Sequence, residues 1–299
     1  MAVITAPHGG PVVENLTLVV DGKERRMLLV RPMSPARNAP LVLVFHGSNQ
    51  TAATIRGFTE PGFDSYVARY GAVVVYLEGY RKHWNDARRS SNFAARTEGY
   101  DDVAFAGAVI GESQRRFGID AAPAYAIGFS NGAQLVLRLV HEMPGRLAAV
   151  ALISATQPAP ENFAPASDAA LPMPVLLIHG TKDPLVPYQG GVASLWGLRP
   201  RGLGLSAPQT AEYFARRNGI RTAPVTENLS VLSSTDDTRV SRTSYREAGL
   251  APVALVTVHG GGHVIPGRKR APRIMGRTST QLSAADEIST FFGFGRAGR

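Results

Sequence analysis

Six short runs of the chain are apolar almost throughout and close on small or polar residues: LVLVFHG (41–47), AVVVYLEG (72–79), AYAIGFS (124–130), LAAVALIS (147–154), VLLIHG (175–180) and PVALVTVHGGG (252–262). A strand wetted on one side alternates apolar with polar residues. These runs do not, so both of their faces must be covered. Between them lie helical patterns: FDSYVARY, DDVAFAGAVIGESQRRFG with Asp101 or Asp102 as cap, AQLVLRLVHEM, APQTAEYFARRNG with Gly219 as stop, and AADEISTFF. Such alternation predicts a mostly parallel α/β sheet with helices on both faces. NLTLVV and KERRMLLV flank an Asp-Gly pair suited to the positive φ values of a two-residue turn, so the sheet opens with an antiparallel N-terminal hairpin.

With 299 residues and 44% hydrophobic content, one domain spanning 1–299 is the expected organisation. Three stretches break the alternation. Residues 156–174 are too proline-rich for helix or strand and read as a surface excursion. Residues 189–207, rich in glycine, read as part of a cover over a site. VLSSTDDTRVSRTSYREAG reads as a polar hairpin leading into the last strand.

Ligands of open parallel sheets meet the carboxyl ends of the strands, which directs attention to the residues that follow each run. Ser130 is one of them, set as Gly-Phe-Ser-Asn-Gly between an apolar strand and a helix. In that setting a serine is lifted above the sheet on a strained turn, and close approach of strand and helix leaves no room for a Cβ at Gly128 or Gly132. A serine hydroxyl becomes a nucleophile only when a base takes its proton, and the base needs a carboxylate to fix its tautomer. Asp183, in TKDPLVP, is the carboxylate after Ser130 that directly follows a buried strand. For the base, His259 still belongs to the end of its strand, whereas His263 lies beyond three glycines on a loop able to reach Ser130. His46 and His179 also end strands and read as hydrogen-bonding groups beneath the site, while His83 and His141 lack supporting context. Two N–H donors for a developing oxyanion are expected from Asn131, at a helix N-terminus, and from Ser48, after Gly47.

Other chemistries find little support. The histidines show no H-E-x-x-H or comparable ligand spacing, and no nucleotide-binding glycine pattern occurs, so neither metal nor cofactor is expected. Cysteine is absent. A net charge of +9 suits a polyanion, yet the basic residues are scattered except in GRKRAPRIMGR (267–277), which reads as a solvated loop, the alternative being a contact for an acidic substrate or a surface, and no nucleic-acid partner is expected. No run approaches the ~20 apolar residues of a membrane helix. The first residues lack the charged start and apolar core of a signal peptide, so the chain reads as cytoplasmic. Oligomeric state is not legible.

The motifs HGSNQ, HWND, DDVAF, GFSNGAQ, HGTKDPLVPYQGG, VHGGGHVIPG and MGRTSTQLSAADEISTFF together resemble α/β-hydrolases of the polyhydroxybutyrate depolymerase and feruloyl esterase type. The resemblance runs from residue 41 nearly to the end. It implies an α/β-hydrolase fold with Ser130, Asp183 and His263 as triad and the HGS turn as oxyanion loop. Many members carry a tryptophan two residues past the histidine, where this chain has Ile265. Secreted members often place cysteines where this chain has Ser48 and ARRSS, and add a polymer-binding module. The implied activity is therefore a serine carboxylesterase acting on soluble esters or short hydroxyalkanoate oligomers, with Trp84, Tyr188, Trp196 and Phe93 as candidate pocket walls or core aromatics. Two rivals share the scaffold: a serine peptidase or amidase, and a non-catalytic binding protein.

Overall fold

The computed structural model describes residues 10–59, 61–119, 123–165, 171–194, 197–229 and 236–295. In chain order the elements are β1 (Val12–Val20), β2 (Lys23–Arg31), β3 (Leu41–Phe45), α1 (Ala52–Thr59), α2 (Ser65–Tyr70), β4 (Val73–Leu77), α3 (Ala94–Thr97), α4 (Asp102–Phe117), β5 (Ala124–Phe129), α5 (Asn131–Glu142), β6 (Leu147–Ile153), β7 (Val175–Gly180), β8 (Gly191–Val192), β9 (Leu203–Gly204), α6 (Ala207–Arg217), β10 (Val225–Asn228), β11 (Arg239–Tyr245), β12 (Val253–His259) and α7 (Ala284–Phe291).

Among the described residues ten strands form one sheet in the order β1-β2-β4-β3-β5-β6-β7-β12-β11-β10. The six central strands, β4 to β12, are mutually parallel and are the six apolar runs of the sequence. Both edges are antiparallel. At the first, Asp21 and Gly22 take the positive φ values, 49° and 73°, that the hairpin turn demands. At the other, β11, from the stretch read as a polar hairpin, pairs antiparallel with β12, and β10 adds a further strand outside it, while residues 231–235 of that stretch lie outside the described residues.

Because successive side chains on a buried strand point to opposite faces, the sheet has two cores. On one face Leu41, Leu43 and Phe45 of β3 pack with α4, α5 and α6. On the other, Val42 and Val44 pack with α1, α2 and α7. The α/β-hydrolase arrangement follows: a large, mostly parallel sheet with helices around it. Asp101, not Asp102, caps α4, accepting from Ala104 N–H at 2.8 Å. Asp102 turns inward instead, accepting from Arg25 at 2.5 Å and from Asn85 N–H at 2.6 Å, all within the core. Among the described residues no helix is long and apolar enough to cross a membrane.

The 156–174 stretch departs from the surface excursion expected of it. It is irregular, but Thr156, Gln157, Pro158 and Ala159 are buried. The cause is the β8–β9 ribbon, which lies over them: Ala159 N–H donates to Leu203 O at 3.0 Å and Leu205 N–H to Gln157 O at 2.8 Å. Residues 166–170 are outside the described residues.

Candidate active site

The carboxyl ends of β3, β5, β7 and β12 converge. Ser130, between β5 and α5, has φ 53° and ψ −115°, a conformation that L-residues rarely adopt and that costs of order 1–3 kcal/mol. The flanking glycines permit it. A Cβ on Gly128 would stand 2.5 Å from Ala133 Cα, and one on Gly132 would stand 2.2 Å from Phe45 O. The crowding comes from α5 starting directly against the end of β3.

His263 reaches the serine from the loop after β12. Ser130 Oγ–H donates to His263 Nε2 at 2.8 Å, and His263 Nδ1–H donates to Asp183 Oδ2 at 2.7 Å. The other carboxylate oxygen of Asp183 accepts from Leu185 and Val186 N–H, each at 2.8 Å. Asp183 and His263 are buried while Ser130 is partly open, so the hydrogen-bonded chain has its solvent-facing end at the hydroxyl. Burial pushes the Asp183 carboxyl up; the charge and hydrogen bond of His263, with His179 and Val186 N–H, outweigh it and hold its pKa below the usual value.

The histidine loop is pinned rather than loose. His263 N–H donates to Met275 O at 2.7 Å, Gly262 N–H to Arg277 O at 2.9 Å, and Lys182 N–H to Gly261 O at 2.8 Å. A Cβ on Gly262 would meet Met275 O at 2.2 Å. The glycines before the histidine thus let a second segment cross close behind it.

Ser48 is partly exposed after β3, and its N–H has no hydrogen-bond partner among the described residues. Asn131 occupies the first turn of α5, whose N–H groups lack intrahelical acceptors. Gly47 lies against the Phe129 ring, where a Cβ would approach Cδ1 to 2.9 Å, so the two loops are neighbours. His46 sits beneath them as a neutral ring, taking Gly79 N–H on Nε2 at 2.9 Å and giving Nδ1–H to Gly47 O at 2.8 Å. Burial lowers its pKa to about 4, against the opposing pull of the Gly47 bond. His179 donates from Nε2 to Val186 O at 2.9 Å, and its pKa too is lowered by burial. His259 bonds the Ser241 hydroxyl at 2.8 Å.

Of the candidate pocket walls, Trp84 takes the core-aromatic reading instead. Trp84 is completely buried, its ring against Phe45 and His46 and its indole N–H on His46 O at 2.8 Å, so it braces the site from within the core. Tyr188 is half-buried, its hydroxyl bonded to Thr257 Oγ1 at 2.8 Å and its ring edge on His179, behind the Asp183 loop. Trp196 lies outside the described residues. Ile265 lines a cavity of about 750 Å³, which Phe58, Phe63 and Leu282 also wall and to which none of Ser130, Asp183 or His263 contributes.

A buried network that sequence reasoning missed stands behind the serine. Asn131 accepts Trp84 N–H on Oδ1 at 2.9 Å and donates from Nδ2 to Asp86 Oδ2 at 2.6 Å. Asp86 in turn takes Arg88 through Nε at 3.1 Å and Nη2 at 2.5 Å. The HWND motif contained the signal, but its partner across the elbow is 45 residues away.

A family model described as Phospholipase/Carboxylesterase matches residues 36–196. The protein NocK of Nocardia uniformis subsp. tsuyamanensis, a candidate esterase by name, is 33% identical over 286 residues, 92% of this chain and 80% of that one. The chain belongs to the Phospholipase/Carboxylesterase family. A further relative of this Phospholipase/Carboxylesterase chain is the bifunctional acetylxylan esterase/xylanase XynS20E of Neocallimastix patriciarum, 26% identical over 171 residues, 56% of this chain but 23% of that protein. Among solved structures, the acetyl xylan esterase from Aspergillus awamori superposes with a TM-score of 0.64 at 15% identity, covering 95% of this chain and all of that one. At that identity the likeness shows the α/β-hydrolase fold alone.

Proposed function

We propose that this α/β-hydrolase is a serine carboxylesterase, one catalytic domain that forms an acyl-enzyme on Ser130. The reading is supported above all by the unbroken hydrogen-bond chain from the Ser130 hydroxyl through His263 to Asp183, with the hydroxyl as its exposed end. Ser130 Oγ attacks the ester carbonyl as its proton passes to His263 Nε2. Asp183 stays ionised, helped by its lowered pKa, and stabilises the imidazolium. Ser48 and Asn131 N–H receive the oxyanion, the latter aided by the positive end of α5. The imidazolium then protonates the leaving alkoxide, and water repeats the cycle to free the acid.

Soluble esters and short hydroxyalkanoate oligomers are the proposed substrates. The resemblance to polyhydroxybutyrate depolymerases and feruloyl esterases supports that choice, and the name of the relative XynS20E adds acetylated sugars to the panel. The test is a hydrolysis screen of short acyl esters, a methyl hydroxycinnamate, hydroxybutyrate oligomers and acetylated xylan, with p-nitroanilides as amide controls. A fluorophosphonate probe should label Ser130. Faster turnover of the anilides, or labelling absent in folded protein, would overturn the proposal.

A further inference from the structure

The segment from Lys82 to Trp84 is fastened to both loops that carry the proposed oxyanion donors. Asn49 N–H donates to Lys82 O at 3.0 Å, and Trp84 N–H donates to Asn131 Oδ1 at 2.9 Å. His83 sits between these two fixed points. Its ring is half-buried and stacks on Phe93, with centroids 3.9 Å apart and planes inclined by 27°. Arg201 completes the wall, its guanidinium carbon 4.2 Å from the Phe93 centroid.

Arg201 arrives from the β8–β9 ribbon, and its backbone is held to the same loop. Its carbonyl accepts from Ser90 Oγ–H at 2.6 Å and from Asn162 Nδ2 at 3.2 Å. The guanidinium itself is poorly matched. Among the described residues its hydrogen bonding is one long contact, 3.4 Å to Asn92 Oδ1, and no carboxylate pairs with it. Burial lowers its pKa, and the nearby charges of Arg88 and Arg199 push the same way, only partly offset by the Asp86 carboxylate, which is engaged with Arg88. A half-buried cation whose remaining donors stay open is stabilised by an anion that supplies both charge and acceptors.

We infer that Arg201, presented on the His83–Phe93 stack, is a carboxylate subsite beside the serine, and that the preferred esters carry a free carboxylate. The inference rests on the esterase reading above and narrows its substrate class. A planar guanidinium fixed on an aromatic face recognises a carboxylate through paired N–H donors, which an ammonium reproduces only in part.

The experiment compares kcat/KM for methyl half-esters of succinic to suberic acids with the matching dimethyl esters, and for acetylated hydroxybutyrate with its methyl ester. These arms place the charge in the acyl and the alcohol part respectively. Wild type should favour a charged ester over its neutral partner, and the preference should shrink as salt rises. Arg201→Met should lower turnover of the charged ester by about tenfold or more, the scale of a charge-assisted hydrogen bond, and leave the neutral ester nearly unchanged. Arg201→Lys should restore part of the loss. Equal loss on both esters would mark the stack as merely structural and overturn the inference, as would a wild-type preference for neutral esters. If Arg201→Met does not fold, the wild-type preference and its salt dependence decide alone. Fluorophosphonate labelling with neutral-ester turnover but no charge discrimination sinks this inference only; absent labelling with no turnover sinks the esterase reading with it.

Discussion

Asn131 Nδ2 donates to Asp86 Oδ2 at 2.6 Å, and this bond ties the residue after the serine to a buried ion pair with Arg88. The backbone N–H proposed to receive the oxyanion therefore belongs to a residue whose side chain is fixed at both ends. Asn131→Ala removes the tether without touching that N–H. Its expected effect is a fall in kcat with KM little changed, on the order of tenfold, because misplaced donors fail the transition state more than the bound substrate. Steady-state kinetics on a short acyl ester measures the split.

Replacing the hydroxyl should all but abolish turnover. For Ser130→Ala the expected loss in kcat is about 10⁴- to 10⁶-fold, with folding unimpaired. Asp183→Asn should cost about 10⁴-fold, because an amide orients the wrong imidazole tautomer. Circular dichroism melts beside the kinetics separate lost chemistry from lost structure.

Gly132→Ala probes the crowding beneath the elbow. A methyl placed 2.2 Å from the Phe45 carbonyl cannot be accommodated unless α5 or β3 shifts. Overpacking of this kind costs about 1–3 kcal/mol or more, read as a lower denaturation midpoint, and turnover should drop beyond what stability explains.

The Arg25–Asp102 pair is buried on both sides, with the carboxylate completely enclosed. Asp102→Ala leaves a guanidinium in the core without its counter-charge and Asn85 N–H without an acceptor. A loss of about 3–5 kcal/mol is expected by chemical denaturation. Changing both partners to apolar residues of similar size should recover much of it.

Acid should weaken the fold through His46. Its folded pKa, about 4, lies below the ordinary 6.5, so between those values the unfolded chain binds the extra proton. Stability is then present in full above pH 6.5 and falls as pH drops toward about 4, by on the order of 3 kcal/mol from this one ring. His179 acts in the same sense. Asp183, with its depressed pKa, contributes stability above the ordinary carboxylate range that is lost as pH falls through its folded value. Denaturation midpoints across this range check the slope; a flat profile from pH 6.5 to 4 would count against a neutral, buried His46.

The parallel centre was legible because burial on both faces forces nearly continuous apolar runs, and the elbow because its sterics select glycine at two fixed positions. β10 was not: all four of its residues are exposed, so an edge strand with no buried face leaves no periodicity to read. α1 was missed for a related reason, being short, interrupted by Gly57 and anchored by only Ala52 and Ile55. Trp84 could be read as a pocket wall or a core aromatic because its motif carries candidate site residues, and composition says nothing of which way a ring turns. The Asp86–Asn131 bond and the Arg201–Phe93 contact join residues far apart in the chain, and local pattern carries no trace of such pairings.

The crossing behind His263 closes a loop at its base: Gly267 N–H is held by Ser279 O, and Met275 O holds His263 N–H. The exposed basic turn between 267 and 275 is thereby held at both ends, and its second end bears directly on the backbone of the histidine. Charge reversals at its exposed tip, 268–270, would alter what the molecular surface attracts, whereas a change that moved Met275 would pull on the backbone of His263.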